Sequence, residues 1–149
     1  MKRLFCILMV TIAALAACQK KEAPVEVDSL VGTYGTDLKG DGKLVPVVKI
    51  DKDSTGYVLY EYSRGDWHRP KDSFSGSDSP EPVRLLTKAD LEKEVRHPVD
   101  VDVQGVRTKA FEFVHVPAGW TDAGKSKPFT TKTGYFALTM VGPIDLQKM

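Results

Sequence analysis

The sequence predicts a mainly β fold, a small antiparallel barrel or sandwich of six to seven strands with one short helix. Three observations carry that expectation. Apolar runs of strand length recur through residues 30–149, clusters of Gly, Asp, Ser and Pro punctuate them, and one stretch has helical spacing behind a capping signal. Strands that follow one another with turn signals between them form an antiparallel sheet, which must curl or stack to bury its apolar face.

The elements follow in chain order. Leu30-Val31-Gly32-Thr33-Tyr34 opens the first strand. Residues 45–50 and 57–62 are rich in Val, Ile and Tyr, and the turn cluster at 51–56 between them predicts a hairpin. Residues 64–82, rich in Ser, Gly, Asp and Pro, are expected to form a long exposed loop. Thr87-Lys88-Ala89-Asp90 reads as a capped helix start, and Leu91 with Val95 supplies an i, i+4 apolar pair. Pro98 ends the helix, because the residue before a proline disfavours the α region. Val99-Asp100-Val101-Asp102-Val103 alternates strictly and is expected as a strand with three valines on one face. A turn centred on Gly105 comes next, then a strand at 109–116, a second long loop at 117–133 and a last strand at 134–141.

The first residues have a different character. Met1-Lys2-Arg3 is basic, and an apolar run over 4–17, broken only by Thr11, is too short for the ~20 residues that a membrane-spanning helix needs. Leu15-Ala16-Ala17-Cys18 resembles the bacterial lipobox, the signal for lipid attachment to a cysteine and cleavage before it. That resemblance implies a lipoprotein signal peptide at 1–17, a lipid on Cys18, and a flexible tether over 18–29 ahead of one domain at 30–149. In that family an aspartate after the cysteine favours inner-membrane retention. Gln19 stands there instead, which implies outer-membrane delivery with the domain facing the periplasm. The tether would reach up to ~30 Å at ~3.3 Å per residue. Within the domain, the Gly32-Thr33-Tyr34 opening resembles the Gly-x-aromatic first strand of lipocalin-like small β-barrels, a likeness that bears on fold and not on activity.

Composition then narrows the function classes. Removing residues 1–17 from a chain of 149 leaves 132, one ordinary domain, and takes Lys+Arg from 21 to 19 against 20 Asp+Glu. Such a balance lacks the basic stripe that nucleic acid requires, so no nucleic-acid partner is expected. Cys6 would leave with the signal and Cys18 would be acylated, which excludes a disulfide, a zinc–thiolate site and a cysteine nucleophile. Asp37 to Lys43 has the glycines of a calcium loop, yet Lys39 and Val48 stand where oxygen ligands belong, so a hairpin turn is expected there. His68, His97 and His115 have no metal-ligand spacing. No metal, no cofactor and no enzymatic activity are expected.

The two long loops hold the recognition candidates. Trp67, His68 and Arg69 lie in the first, Trp120 in the second, and Trp and Arg are the residue types enriched at interface hot spots. The format resembles that of small immunity or inhibitor lipoproteins, which implies a periplasmic protein partner whose active site is blocked. A lipocalin-like small-ligand carrier and an accessory subunit of an envelope complex stand as alternatives. A filled interior with Trp67 and Trp120 projecting at one end would favour a protein binder, and an unfilled interior would favour the carrier. The membrane assignment is tested directly: Cys18→Ser is expected to abolish partitioning with membranes in a detergent phase-separation assay, and unchanged partitioning of the variant would contradict the lipid anchor.

Overall fold

Thr33, Tyr34 and their neighbours form the strand from which the sheet is assembled in both directions. The computed structural model describes residues 28–71, 78–124 and 127–149; the lipobox with Cys18, most of the expected tether, and parts of both long loops lie outside these. The strands are β1 (Gly32–Thr36), β2 (Val45–Asp53), β3 (Gly56–Ser63), β4 (Asp66–His68), β5 (Arg84–Leu85), β6 (Gln104–Arg107), β7 (Glu112–His115), β8 (Thr121–Asp122), β9 (Phe129–Thr130), β10 (Tyr135–Thr139) and β11 (Gly142–Lys148), with α1 (Lys88–Val95) between β5 and β6. Nine of them form one sheet in the order β4-β3-β2-β1-β11-β10-β7-β6-β5, and β8 pairs with β9 separately. Every pairing is antiparallel. The sheet curls into a half-barrel, with β4 and β5 as its two edges.

Among the described residues the fold is therefore mainly β and antiparallel with one short helix, as expected, but six to seven strands becomes nine plus two. The extra strands are mostly two- or three-residue ladders, too short for alternation to register. The expected turn at 104–107 is strand β6. Gly105 is there because a Cβ would lie 2.3 Å from the Phe113 carbonyl oxygen, so it permits close strand approach and makes no turn. The expected strand at 99–103 belongs to no ladder. Val99 is buried, Val101 and Val103 are half-buried, and Asp100 and Asp102 are exposed, so the alternation reports one-sided packing of an extended segment. β11 escaped notice because it begins Gly142-Pro143 and carries Asp145 and Gln147.

The β2–β3 hairpin forms where expected. Its turn is fastened by Asp53, whose carboxylate accepts from the Thr55 backbone N–H at 2.7 Å and hydroxyl at 2.6 Å. The helix start is a complete capping box, with the Asp90 carboxylate accepting from the Thr87 N–H at 2.8 Å while the Thr87 hydroxyl accepts from the Asp90 N–H. Leu91 and Val95 are its buried pair. At the 37–43 loop, the Asp37 carboxylate accepts from the backbone N–H groups of Lys39, Asp41 and Gly42, so the loop's own backbone occupies its oxygens.

Two apolar clusters lie on opposite faces of the sheet. The interior of the curl is filled by Tyr34, Ile50, Leu59, Val106, Phe113 and Leu146, among others. On the outer side of β7 and β10, Val114 and Phe136 pack with Leu91 and Val95 of α1 and with Val99 and Val116. The strand period of two separates them, sending Phe113 inward and Val114 outward. Tyr34 is fully buried, its ring 4.5 Å from Phe113 and 5.1 Å from Tyr135, and its hydroxyl lies 2.9 Å from the Leu30 carbonyl oxygen. Asp28 and Ser29 are also tied in. Asp28 accepts from Lys52 at 2.9 Å and Tyr57 at 2.8 Å, and Ser29 donates to Gln104 at 2.6 Å. Burial works against the Asp28 charge, but the Lys52 and Tyr57 hydrogen bonds prevail and hold its carboxyl below the usual range.

Phe113→Ala removes the ring that contacts both Tyr34 and Tyr135, in a fully buried position. Chemical denaturation is expected to show a loss of about 3–5 kcal/mol; a loss below ~1 kcal/mol would mean that the interior is not close-packed there.

Candidate recognition face

The hairpin between β3 and β4 turns on Arg64 and Gly65, with φ of 54° and 86°. Positive φ at both central residues is the type I′ pattern that returns a strand directly onto its neighbour. Arginine is an uncommon occupant of that conformation, so the sequence gives no hairpin signal there, and the Ser, Gly, Asp and Pro content of residues 64–82 reads as loop. The consequence is that Trp67 stands opposite Tyr62, with ring centroids 5.0 Å apart at 61°. Tyr60 lies two residues before Tyr62 and shares its face, while Lys49 stands opposite Tyr60 with its ammonium 4.4 Å from the ring centroid. Lys49 also pairs with Asp51 at 3.1 Å.

These side chains point away from the filled interior, and Tyr60, Tyr62 and Trp67 belong to neither apolar cluster. All three are half-buried. Together with Lys49 they form an aromatic and cationic strip across β2, β3 and β4. His68 and Arg69 are both exposed. His68 stands opposite Glu61 on the other face of the hairpin, where burial, and then the nearby charge of Glu81, push the Glu61 carboxyl up. Sequence reasoning found Trp67, His68 and Arg69 but passed over Lys49, Tyr60 and Tyr62. The i, i+2 spacing of the two tyrosines in an expected strand was the available signal.

Trp120 has a different setting. The second loop folds back as the small β8–β9 hairpin and lays Trp120 on Phe136, with centroids 5.6 Å apart and planes within 11°, and Phe129 packs on the same ring at 5.2 Å. Trp120 thus borders the outer apolar cluster. Four strands separate β4 from β10 in the sheet, roughly 24 Å along it at ~4.8 Å per strand, so the two tryptophans do not converge on one patch.

The β8–β9 hairpin is latched to the end of the helix. His97 Nε2 lies 2.8 Å from Oδ1 of buried Asp122, and Nδ1 lies 2.8 Å from the Pro98 carbonyl oxygen. Both partners are acceptors, an arrangement satisfied by the imidazolium with a proton on each nitrogen. A Cβ at Gly124 would sit 2.3 Å from His97 Cδ2, so glycine allows the ring to approach. His115 lies elsewhere, stacked on Tyr135 at 4.3 Å with its pKa lowered, first by burial and then by Lys148.

A cleft of about 580 Å³ opens at the end of the half-barrel where Asp28 lies, lined by Lys52, Tyr57, Leu85, Lys88 and Gln104 among others. Comparison with known proteins adds no relative: no family model, no curated protein and no solved structure matches the chain.

The latch generates a pH dependence of definite sign. The Asp122 hydrogen bond, followed by the Pro98 carbonyl, raises the His97 pKa above its ordinary value. The associated stabilisation is fully present below the unfolded value of about 6.5 and is lost as pH rises through the folded value. Denaturation of wild type and His97→Gln across this range should give a stability difference that shrinks as pH rises. A difference that is flat or grows with pH would contradict the charged latch. Comparing the two proteins cancels the opposite contribution of His115.

Proposed function

We propose that the protein is a non-enzymatic protein-binding module, anchored to the outer membrane through a lipid on Cys18 and facing the periplasm. Its partner is a periplasmic protein, in the manner of immunity or inhibitor lipoproteins that block a toxin or lytic enzyme. The observation that carries this reading is the strip formed by Lys49, Tyr60, Tyr62 and Trp67 on a solvent-facing side of the sheet. Tyr and Trp present large rigid surfaces at low entropic cost, and with Arg they dominate interface energetics. The interior supports the same reading, because Tyr34, Phe113 and Leu146 fill the space a lipocalin-like cargo would need. The cleft of about 580 Å³ beside Asp28, whose lining includes Leu30 of the interior cluster, favours the second reading, carriage of a small molecule at the mouth of the half-barrel.

The reading separates the two tryptophans. Once co-purification from envelope extracts has identified the partner, Trp67→Ala and Tyr62→Ala are each expected to weaken binding about thirtyfold or more, equivalent to ~2 kcal/mol. Their stability cost should stay within about 1 kcal/mol, the scale of one cross-strand aromatic pair. Trp120→Ala should instead lower stability by about 2 kcal/mol and leave affinity unchanged. Full affinity in both strip variants would place recognition on another surface.

A further inference from the structure

The turn between β10 and β11 carries the two most exposed large apolar side chains among the described residues, Met140 at 90% and Val141 at 92%. Neither serves the fold. Thr139 pairs with Gly142, so Met140 and Val141 are the two central residues of a tight hairpin. Such positions favour Asn and Gly, which supply positive φ, and neither residue here adopts it. Both also stand outside the two apolar clusters. The turn is nonetheless fastened, since the Thr139 hydroxyl donates to the Gly142 carbonyl oxygen at 2.8 Å and accepts from the Val141 N–H at 3.3 Å. Two apolar side chains are thus presented on an ordered turn, which lowers the entropic cost of binding through them.

The antiparallel register gives this turn its neighbours. β1 pairs with β11, so the end of β1 and the start of β11 share one end of the half-barrel. β2 starts at that end, and β3 finishes there. Three connections therefore stand side by side in strand order, the Arg64-Gly65 turn, the loop from β1 to β2 and the Met140-Val141 turn. The loop adds exposed Leu38, and Val45 beside it is exposed at the start of β2. Tyr62 and Trp67 flank the Arg64-Gly65 turn at two residues' distance, so the aromatic strip reaches the same end. Scattered single apolar residues are ordinary on a surface, whereas four at one end next to an aromatic strip mark a contact surface. Asp28 bonds Tyr57 at the start of β3, so the chain toward Cys18 leaves from the opposite end and this one is remote from the proposed anchor.

We propose that the partner-binding surface extends from the aromatic strip over this end of the half-barrel, with Met140 and Val141 entering an apolar hollow of the partner protein. The inference rests on the protein-binding reading above and adds to it the shape and chemistry of the partner. Methionine suits that role, being enriched at interfaces and able to adapt to an irregular hollow.

The test places a photoreactive benzophenone side chain in the full chain at position 141, at position 60 in the strip, or at exposed Lys93 on α1, and irradiates the cells that produce it. Positions 141 and 60 are expected to give an adduct with one and the same protein by mass spectrometry, and position 93 none. Trp67→Ala should lower the adduct from 141 at least about tenfold. Met140→Ser/Val141→Ser should bind that protein, once purified, at least about tenfold more weakly with its melting temperature unchanged. An adduct from 60 and none from 141 would overturn the extension and leave the strip reading intact, whereas no adduct from either would defeat both. An adduct from 141 with lipid or with a second copy of this chain, one that survives Trp67→Ala, one obtained equally from 93, full affinity in the double variant, or a double variant that melts several degrees lower would each overturn the proposal.

Discussion

Tyr34 closes the seam on which the sheet depends. β1–β4 form one meander and β5, β6, β7, β10 and β11 form another, and they meet where β1 pairs with β11. That ladder is short, registering Tyr34 with Lys148 and Gly35 with Gln147 and extended by the Met149 N–H to the Thr33 carbonyl. Beneath it, the Tyr34 ring contacts Phe113 and Tyr135 of the second meander, while its hydroxyl reaches back to the carbonyls of Ser29 and Leu30. Next to it, Gly35 marks the register shift with β2. A Cβ there would lie 2.7 Å from the Val45 carbonyl oxygen, so the bend at the seam needs glycine. Burial raises the Tyr34 phenol pKa, leaving a neutral hydroxyl at the centre of the interior.

This arrangement divides labour between the two halves. The second half has an apolar cluster of its own on its outer face, covered by α1 and the β8–β9 hairpin. The outer face of β2–β4 has no such cover among the described residues, and its large side chains meet solvent in part. One half of the sheet therefore packs on both faces, and on the outer face of the other Tyr60, Tyr62 and Trp67 are only half-buried. The proposed recognition strip lies on that outer face, held through β1 to the better-packed half.

How much of this could be read in the sequence depended on whether the signal was local. The β2–β3 hairpin, the Thr87 capping box with Leu91 and Val95, and the turn at Asp37 are each specified by residues a few positions apart, and each was legible. Gly105 was misread as a turn because its reason for being glycine is the Phe113 carbonyl, eight residues away. Residues 99–103 alternate because α1 and β7 offer them one apolar surface, and alternation cannot distinguish that from a ladder. The tryptophans are the instructive pair. Both sit in Gly-containing polar stretches, yet Trp67 is set on an edge strand by a two-residue turn, and Trp120 is pressed on Phe136 by a hairpin that returns over β10. That difference is tertiary, so composition could name both residues as candidates without separating their roles.

Native-state hydrogen exchange tests the seam most directly, because it assigns an opening free energy to each backbone hydrogen bond. If the Tyr34 seam makes the two meanders a single cooperative unit, the slowest amides of β2 and β3 will exchange at the same free energy as those of β7 and β10, through global unfolding. Exchange of β2 and β3 at a clearly lower free energy, while β7 and β10 remain protected, would mean that the first meander opens by itself and would contradict the account.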